Sequence, residues 1–346
     1  MKLKNIADTL LDEASPPAQL QAALNAFVQL CSAVGGVIPD RSFDAWAGDS
    51  LLQDGVAISP EAAAHCVHDT QRSVVFIRAA FAAIKTAKNR FANGPIDILY
   101  AGCGPFATLL LPILGRFNPD ELTVHLLDIH QRSLDSVALL IKHCGLQAHR
   151  ISYIQADACH YQHPNNPHVI IAETMQKSLE QEPQFAVTAN LAPQLQANGI
   201  FIPQKVEVAL CLAKLEDETA AFKRGDALDP NALVEAGNRH PLATVLCLTP
   251  EHAPRLRQQA SLSHGSLALN PIHVTIPNTA HLDDFDALLL TRVQAFEQHR
   301  LLDYESEITL PLRCSELMPL QAGDRYRIRL QIGRYPKFSI TQMHDD

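Results

Sequence analysis

A chain of 346 residues with 47% hydrophobic and 19% charged residues has the composition of a globular protein and not of a disordered one. Its 28 Lys and Arg against 37 Asp and Glu give a net charge of −9 at pH 7, which disfavours nucleic acid and anionic membranes as partners because both attract clustered cations. No apolar run approaches the roughly 20 residues that a membrane-spanning helix needs.

The cysteines and the first residues indicate a cytoplasmic location. Eight cysteines are scattered along the chain without a CxxC pair, a usage typical of buried thiols in a reducing compartment. The opening residues turn acidic and contain proline where a signal peptide would carry its apolar stretch. We therefore expect neither a disulfide framework nor a zinc knuckle.

Residues 1–92 predict an amino-terminal helical cap. They are rich in Ala, Leu and Gln, and their apolar residues recur at helical spacing. Ser59 and Pro60 form a typical helix start, which predicts one long helix that runs to Phe91.

Residues 93–203 alternate short β-type runs with helical segments. The strand-like runs are IDILYA, LTVHLLD, ISYIQAD, HVIIAE and GIFIP. Helices are expected from the glycine-rich turn through Ile113, from about Ser133 to Cys144, and in FAVTANLAPQL. Strands that alternate with helices in this way predict an α/β fold with a doubly wound, Rossmann-like parallel sheet.

Residues 204–346 predict a carboxyl-terminal antiparallel β-rich domain. Its strand-like runs include KVEVALCLA, ATVLCLT, IHVTIP, ALLLTRVQAF, SEITLPL and RYRIRLQIG. A polar block near 214–240 interrupts them and is expected to be a partly helical insertion. The arginines of the last run alternate, so they share one face of the sheet, which we interpret as solvated.

Candidate ligand-binding residues follow the first predicted strand. In open α/β sheets, ligands bind at the carboxyl ends of the strands. This strand ends in Tyr100 and Ala101 and is followed by Gly102, Cys103, Gly104 and Pro105. The two glycines allow the backbone to approach a ligand closely.

Carboxylates end the next strands. Asp128 ends the second strand and Ile129 follows it. A carboxylate there can accept hydrogen bonds from both hydroxyls of a ribose. Asp157 and Ala158 end the third, placed to accept from an adenine amino group, and Glu173 ends the fourth. The sequence therefore predicts a nucleoside site at this edge of the sheet.

Two nucleoside cofactors fit this pattern. GCGPFA matches the dinucleotide fingerprint with Ala as its last member, which keeps NAD open. Against NAD, Pro105 lacks the backbone N–H that a pyrophosphate would use, and the strand starts only near residue 96. A sulfonium needs no cluster of donors, so S-adenosylmethionine is favoured.

This core resembles the class I methyltransferases, although Tyr100 stands where that family often has an acidic residue. Two segments of the cap also resemble the protein arginine methyltransferase family. SFDAWA is similar to its YFxSYA segment, whose aromatic residues close over the cofactor, and this implies that role for Phe43 and Trp46. HDTQRSVVF is similar to its DxxRxxxY stretch, which implies that Arg72 pairs with the carboxylate of the cofactor.

A third segment, AETMQKSLEQE, resembles the double-glutamate loop SExMGxxLxxE of the same family. Glu173, Met175 and Glu182 keep its spacing, so the resemblance places them in the catalytic site. A carboxylate there would orient the acceptor nitrogen or accept its proton. Two close carboxylates repel each other unless a cation lies between them, and Lys177 is our candidate for that cation. The family's dimer arm further implies a homodimer through the 214–240 excursion.

Departures from the family's motifs leave the acceptor open. Gln176 and Thr174 differ from the loop pattern, and the β-rich half has no THW segment. We therefore expect N-methylation of a small molecule or a peptide. GCGPF also resembles the turn of nicotianamine synthase-like enzymes, so aminocarboxypropyl transfer, or cyclisation of the cofactor to azetidine-2-carboxylate with release of methylthioadenosine, is the first alternative. A cofactor-binding scaffold without turnover is the second.

No metal is predicted. His65 and His68 lie one helical turn apart, as do His160 and His163. Neither pair has a third ligand of clear position, and two histidines alone are weak grounds for a metal site.

Overall fold

Helices form the amino-terminal region, as its apolar spacing predicts. The computed structural model describes residues 2–42, 48–226, 228–263 and 265–344. A two-stranded hairpin lies between the helices of this region. The helices are α1 (Leu3–Leu11), α2 (Pro17–Gly35), α3 (Pro60–His65) and α4 (Thr70–Arg90), and the strands are β1 (Ser50–Leu51) and β2 (Val56–Ala57).

The prediction of a single long helix from Ser59 is wrong, because the helix is interrupted before Asp69, between α3 and α4. The Ser59 hydroxyl caps α3 by accepting from the N–H of Ala62 at 3.2 Å. A 3₁₀ turn follows, and Asp69 Oδ1 then accepts from the N–H of Arg72 at 3.1 Å, which starts a second helix. Asp69 is therefore a helix cap and fixes the first turn of α4, where Arg72 lies.

The middle region forms the predicted doubly wound sheet. All neighbouring strands are parallel, in the order β5-β4-β3-β6-β7. This confirms the α/β, Rossmann-like fold class. The strands are β3 (Ile96–Ala101), β4 (Leu122–Asp128), β5 (Arg150–Gln155), β6 (Val169–Ala172) and β7 (Ile200–Ile202), and the helices are α5 (Leu111–Leu114), α6 (Gln131–His143) and α7 (Gln184–Leu191).

Both faces of this sheet are covered. Side chains alternate along β3, so Ile98 and Tyr100 join the main core with α2, α4 and α6, whereas Leu99 and Ala101 join a smaller core with α7. The strand order reverses at β3, which lies between β4 and β6. The carboxyl ends of these three strands therefore form the crevice where such folds bind ligands.

The last region is β-rich, as predicted, and contains two antiparallel sheets. Their orders are β14-β13-β8-β9, with β15 on β13, and β10-β11-β16-β12, with β17 on β16. The strands are β8 (Lys205–Ala213), β9 (Arg239–Leu248), β10 (Ser261–Ser263), β11 (Ser266–Ala268), β12 (Ile272–Thr275), β13 (Asp286–Phe296), β14 (His299–Leu301), β15 (Leu312–Arg313), β16 (Arg325–Ile332) and β17 (Lys337–Met343), and the helices are α8 (Leu215–Arg224), α9 (Pro230–Glu235) and α10 (Ala253–Gln259).

Of two sequence predictions for this region, one is wrong and one is confirmed. The strand predicted in SEITLPL is wrong, because Ser306 and Thr309 form a reciprocal capping box that turns Glu307–Thr309 into a 3₁₀ helix. The alternation of β16 is confirmed, with Tyr326, Ile328 and Leu330 buried and the arginines on the opposite face.

The excursion near 214–240 contains α8 and α9, as predicted. The first turn of α8 is acidic and its last turn is basic, which complements the helix dipole. Dimerisation through this segment stays a prediction. Among the helices that the structure describes, none combines the length and apolarity of a membrane span.

Candidate active site

A pocket of about 990 Å³, measured to its open mouth, lies at the carboxyl ends of β3, β4 and β6. Most of the residues that the sequence singles out line it: Arg72, Tyr100, Gly102, Cys103, Gly104, Pro105, Asp128, Ile129, Asp157, Ala158, Glu173 and Glu182.

The glycine-rich turn Gly102–Pro105 offers no amide N–H to a ligand. Its first two N–H groups donate to the carbonyl of Leu127, at 2.8 and 3.1 Å. The third donates to Asp128 Oδ2 at 2.8 Å, and the proline has none. The helix predicted to follow directly is also absent here, since the residues after the turn form further turns up to α5. A pyrophosphate would lack both the donors and the helix dipole that it needs.

Gly102 is the tightest point of this turn. Its φ of +67° is left-handed, and a Cβ at this position would lie 2.6 Å from Thr174 Cγ2. The backbone of the first turn and the start of the loop after β6 thus approach each other as only glycine permits.

Asp128 and Asp157 are held by the backbone. Asp128 Oδ1 accepts from the N–H of His130 at 2.9 Å, in addition to its bond from the glycine turn. Asp157 Oδ1 accepts from the N–H of Cys159 at 2.8 Å. Each carboxylate oxygen has a second lone pair, so both side chains are preorganised acceptors at the pocket wall.

Arg72 and Glu173 form a buried ion pair in the pocket. Arg72 Nε and Nη2 donate to Glu173 Oε2 at 3.0 and 2.5 Å, and both side chains are about nine-tenths buried. Glu173 Oε1 is buried and has no hydrogen-bond partner among the described residues. Burial raises the pKa of Glu173, whereas the guanidinium of Arg72 opposes that rise. The cation beside the two glutamates is therefore Arg72 and not Lys177, which does not line the pocket.

Glu182 is the second buried carboxyl group of the site. Burial raises its pKa from 4.5 to about 8, because Arg72 offsets the loss of solvation only in part and Glu173 repels a second negative charge. Glu182 is therefore protonated at neutral pH. It can accept a proton only after a bound cation has lowered its pKa and ionised it.

The loop that carries both glutamates has a strained backbone. Ser178, Leu179 and Gln181 all have positive φ values, between 52° and 65°. The β-rich region holds the loop in this shape, since the Ser178 N–H donates to Thr291 Oγ1 of β13 at 2.8 Å. The Gln181 N–H similarly donates to the carbonyl of Pro336, at 2.8 Å. The carboxyl-terminal region therefore helps to shape the site.

Some predicted site residues lie elsewhere. Met175 is fully buried in the main core and does not line the pocket. Phe43 and Trp46 lie outside the described residues. Burial, reinforced by neighbouring negative groups, raises the pKa of Cys103 and of Tyr100, so neither is a ready nucleophile or base.

The sequence did not point to Gln184, which orders the start of the loop. Its Oε1 accepts from the N–H of Thr174 at 2.8 Å, and its Nε2 donates to the carbonyl of Ala172 at 3.0 Å. The side chain is fully buried. The only signal was an amide at the first position of a helix whose next three residues are apolar.

Comparisons with known proteins give structural neighbours only. No protein-family model matches the sequence, and no curated protein matches it significantly. Similar solved structures include the Trypanosoma brucei PRMT1 enzyme-prozyme heterotetrameric complex with AdoHcy (14% identity, TM-score 0.44, 81% of this chain and 92% of that chain). Another is Arabidopsis thaliana protein arginine methyltransferase 10 (14% identity, TM-score 0.44, 77% and 85%).

Proposed function

We propose that this chain is an S-adenosylmethionine-dependent methyltransferase that methylates a nitrogen of a small molecule or a peptide. The observation that carries the proposal is the glycine turn Gly102–Pro105, whose amides are all committed within the protein, next to a wall of carboxylates. Such a site favours a cationic nucleoside over a phosphorylated one, which removes the main support for NAD.

The charge of the pocket points the same way. Among its described lining residues, Arg72 is the only Arg or Lys, whereas the side chains of Asp128, Asp157 and Glu173, together with the Glu182 carboxyl group that is protonated at neutral pH, face the same space. A cleft with walls of one sign attracts ligands of the other sign. A sulfonium ion and a basic acceptor nitrogen both meet that requirement.

The buried glutamates suit displacement by nitrogen. When bound, S-adenosylmethionine supplies a methyl group on positively charged sulfur, and the carbon–sulfur electron pair returns to sulfur as the carbon–nitrogen bond forms. Glu173 Oε1, which has no partner among the described residues, can orient the acceptor and take the proton that nitrogen loses. Such proton transfer contributes about 10²–10⁴-fold, and positioning contributes the rest.

Arg72 has two roles open to it in this scheme. Its bond to Glu173 keeps that carboxylate charged in a buried site. The resemblance to arginine methyltransferases implies a pairing with the carboxylate of the cofactor, for which Arg72 would keep a further N–H of its guanidinium. The two roles are compatible, because Nε and Nη2 alone bind Glu173.

The decisive experiment identifies the nucleoside product by mass. The purified protein is incubated with S-adenosylmethionine alone and then with the low-molecular-weight and peptide fractions of a cell extract. We expect no turnover alone and S-adenosylhomocysteine once an acceptor is present. Methylthioadenosine from the cofactor alone would overturn the proposal in favour of attack on the aminocarboxypropyl arm. Saturable binding without product in any fraction would favour a scaffold.

A further inference from the structure

Three side chains converge at the end of the parallel sheet that lies away from the pocket. Asp97 is the second residue of β3, His125 lies within β4, and His163 belongs to the connection between β5 and β6. Asp97 Oδ1 lies 3.2 Å from His125 Nε2 and 3.7 Å from His163 Nε2. One possible ligand atom from each of the three residues lies within 4.8 Å of the other two.

The strands place two of these residues on one face. Asp97 and Leu99 are two residues apart along β3 and so lie on the same face of the sheet, and His125 pairs in register with Leu99. The Asp97 and His125 side chains therefore leave the sheet on the same side, one step apart. No local motif joins the residues, and only the sheet register brings them together.

All three converging atoms are buried, and apart from their close contacts with one another none forms a hydrogen bond of good geometry with a described residue. The side chain of His163 is completely buried, and those of Asp97 and His125 are 16% exposed. Isolated unsatisfied atoms of this kind are uncommon, and each requires an explanation. Three that point at one centre are explained together by a single ligand at that centre.

The spacing and the atom types fit a zinc ion. Metal–ligand bonds of about 2.0–2.1 Å in a tetrahedron place neighbouring ligand atoms roughly 3.3 Å apart. The observed separations of 3.2 and 3.7 Å are close to that value. Two imidazole nitrogens and one carboxylate oxygen suit zinc, whereas Mg²⁺ and Ca²⁺ require oxygen ligands.

Hydroxyl groups orient both imidazoles towards the centre. His125 Nδ1 lies 2.7 Å from Ser152 Oγ, which can donate its own proton to the Val124 carbonyl 3.5 Å away. His163 Nδ1 lies 3.1 Å from the hydroxyl of Tyr161. With Nδ1–H donated outward in this way, Nε2 presents its lone pair inward, as metal-binding histidines do.

We propose that Asp97, His125 and His163 bind one zinc ion, which ties the β5–β6 connection to the parallel sheet. The role is structural, because none of the three residues lines the pocket at the opposite strand ends. His160, considered as a partner of His163 from the sequence, instead lies 3.7 Å from Asp54.

The test is a zinc titration of the full chain after treatment with a chelator, in competition with a chromophoric chelator. We expect one zinc ion per chain in the wild type and no stoichiometric binding in His163→Gln or Asp97→Asn. The matched control is His160→Gln, which changes a mostly exposed histidine three residues from His163 and should keep the wild-type affinity for zinc. Ser152→Ala should weaken binding by about 10–100-fold, as loss of a supporting hydrogen bond does.

Folding gives a second readout that does not depend on activity. Zinc at 100 times its Kd should shift the unfolding equilibrium of the wild type about 100-fold towards the folded state. His163→Gln should show no such shift, and in chelator it should unfold much as the wild type does. Should that variant fail to fold, Ser152→Ala carries the comparison.

Three results would overturn the proposal. The first is sub-stoichiometric zinc in the wild type. The second is equal zinc affinity in the wild type and in Asp97→Asn, which would leave a plain histidine–carboxylate contact at this position. The third is a weak, six-coordinate visible spectrum of the cobalt(II) form in place of strong tetrahedral bands, which would refute the assignment to zinc.

Discussion

Two buried arginines bind carboxylates in different halves of this molecule. One has all its partners in place, and the other does not. In the β-rich half, Arg239 Nε and Nη2 donate to the two oxygens of Glu218, at 2.7 and 2.9 Å. Its Nη1 donates to Asp303 Oδ2 at 2.5 Å. The other arginine, Arg72, has a single carboxylate partner in the pocket and a second carboxyl group nearby.

The cluster around Arg239 is balanced in charge and in hydrogen bonds. Arg292 donates to both oxygens of Asp303, at 2.8 and 3.0 Å, and the hydroxyl of Tyr304 donates to Glu218 at 2.7 Å. Two guanidinium groups thus face two carboxylates, and neither carboxylate of this cluster contains an unsatisfied buried oxygen. A buried network that satisfies its members in this way fixes structure.

The cluster around Arg72 is deficient in hydrogen bonds by comparison. One guanidinium faces Glu173 and Glu182, and Glu173 Oε1 has no partner within the described part of the chain. The pKa of Glu182 rises to about 8 because of burial. We conclude that a buried polar cluster with an unfilled hydrogen-bond position is a candidate ligand site, whereas a fully satisfied cluster stabilises the fold.

The largest expected effect comes from Glu173→Gln, which removes the charge of the deficient cluster. Under the proposed function, turnover should fall by about 10²–10⁴-fold, because the amide no longer accepts a proton from the acceptor. Affinity for S-adenosylmethionine, followed by calorimetry, should stay within a few-fold. The exposed Glu235→Gln serves as the matched control and should leave both quantities unchanged. Turnover that survives in Glu173→Gln would remove this glutamate from the catalytic site.

The balanced cluster should respond in stability and not in chemistry. Arg239→Met leaves the buried carboxylates of Glu218 and Asp303 without their main cation, which should lower the free energy of unfolding by about 3–5 kcal/mol. Urea unfolding followed by circular dichroism measures the change. Arg224→Met, at a largely exposed pair with Asp226, should change stability by less than about 0.5 kcal/mol. Equal effects of the two substitutions would contradict the role assigned to the Arg239 cluster.

The parallel sheet and its ligand edge could be predicted from the sequence, because both follow from local patterns. Apolar runs of strand length and the turn Gly102–Pro105 are visible without any tertiary knowledge. The break at Asp69 could be predicted only in part, since its Oδ1 cap of α4 is a local signal whereas its Oδ2 binds Ser306 Oγ and the Glu307 N–H from far along the chain. That second contact depends on the tertiary structure, and no local pattern contains it.

The cation of the pocket shows the same limit. Lys177 was the nearest positive charge in sequence, yet Arg72 occupies that place, 101 residues before Glu173. Which cation reaches a carboxylate depends on how α4 packs on the sheet, and no spacing rule contains that information. The capping box of Ser306 and Thr309 is a different case, since its signal was local and was missed.

Stability should also depend on pH through Glu182. Its pKa is about 8 in the folded chain and 4.5 in the unfolded chain, so below pH 4.5 both states hold the proton and this group costs nothing. Between pH 4.5 and 8 the unfolded state releases a proton that the folded state keeps, so stability falls by about 1.4 kcal/mol per pH unit at most. Above pH 8 the loss stays constant.

Denaturant unfolding of the wild type and of Glu182→Gln across this range measures that contribution. The Gln variant should gain stability relative to the wild type as pH rises from 4.5 to 8, because it has no proton to lose. The difference between the two proteins, and not the wild-type curve alone, isolates this group from other titrations. A difference that does not change with pH would mean that Glu182 is ionised in the folded protein.

The smallest expected effect tests how the β-rich half holds the deficient cluster in place. Thr291→Val keeps the shape of a buried side chain of β13 but removes the oxygen that accepts the Ser178 N–H, which should cost about 1–3 kcal/mol of stability. Because Ser178 lies between the two glutamates, kcat should fall while the KM for the cofactor changes little. Thr291→Ser restores the acceptor and should recover kcat despite its missing methyl group. If the Val and Ser variants lose kcat equally, packing at β13 and not this hydrogen bond positions the loop, and the balanced half of the molecule would support the fold without shaping the site.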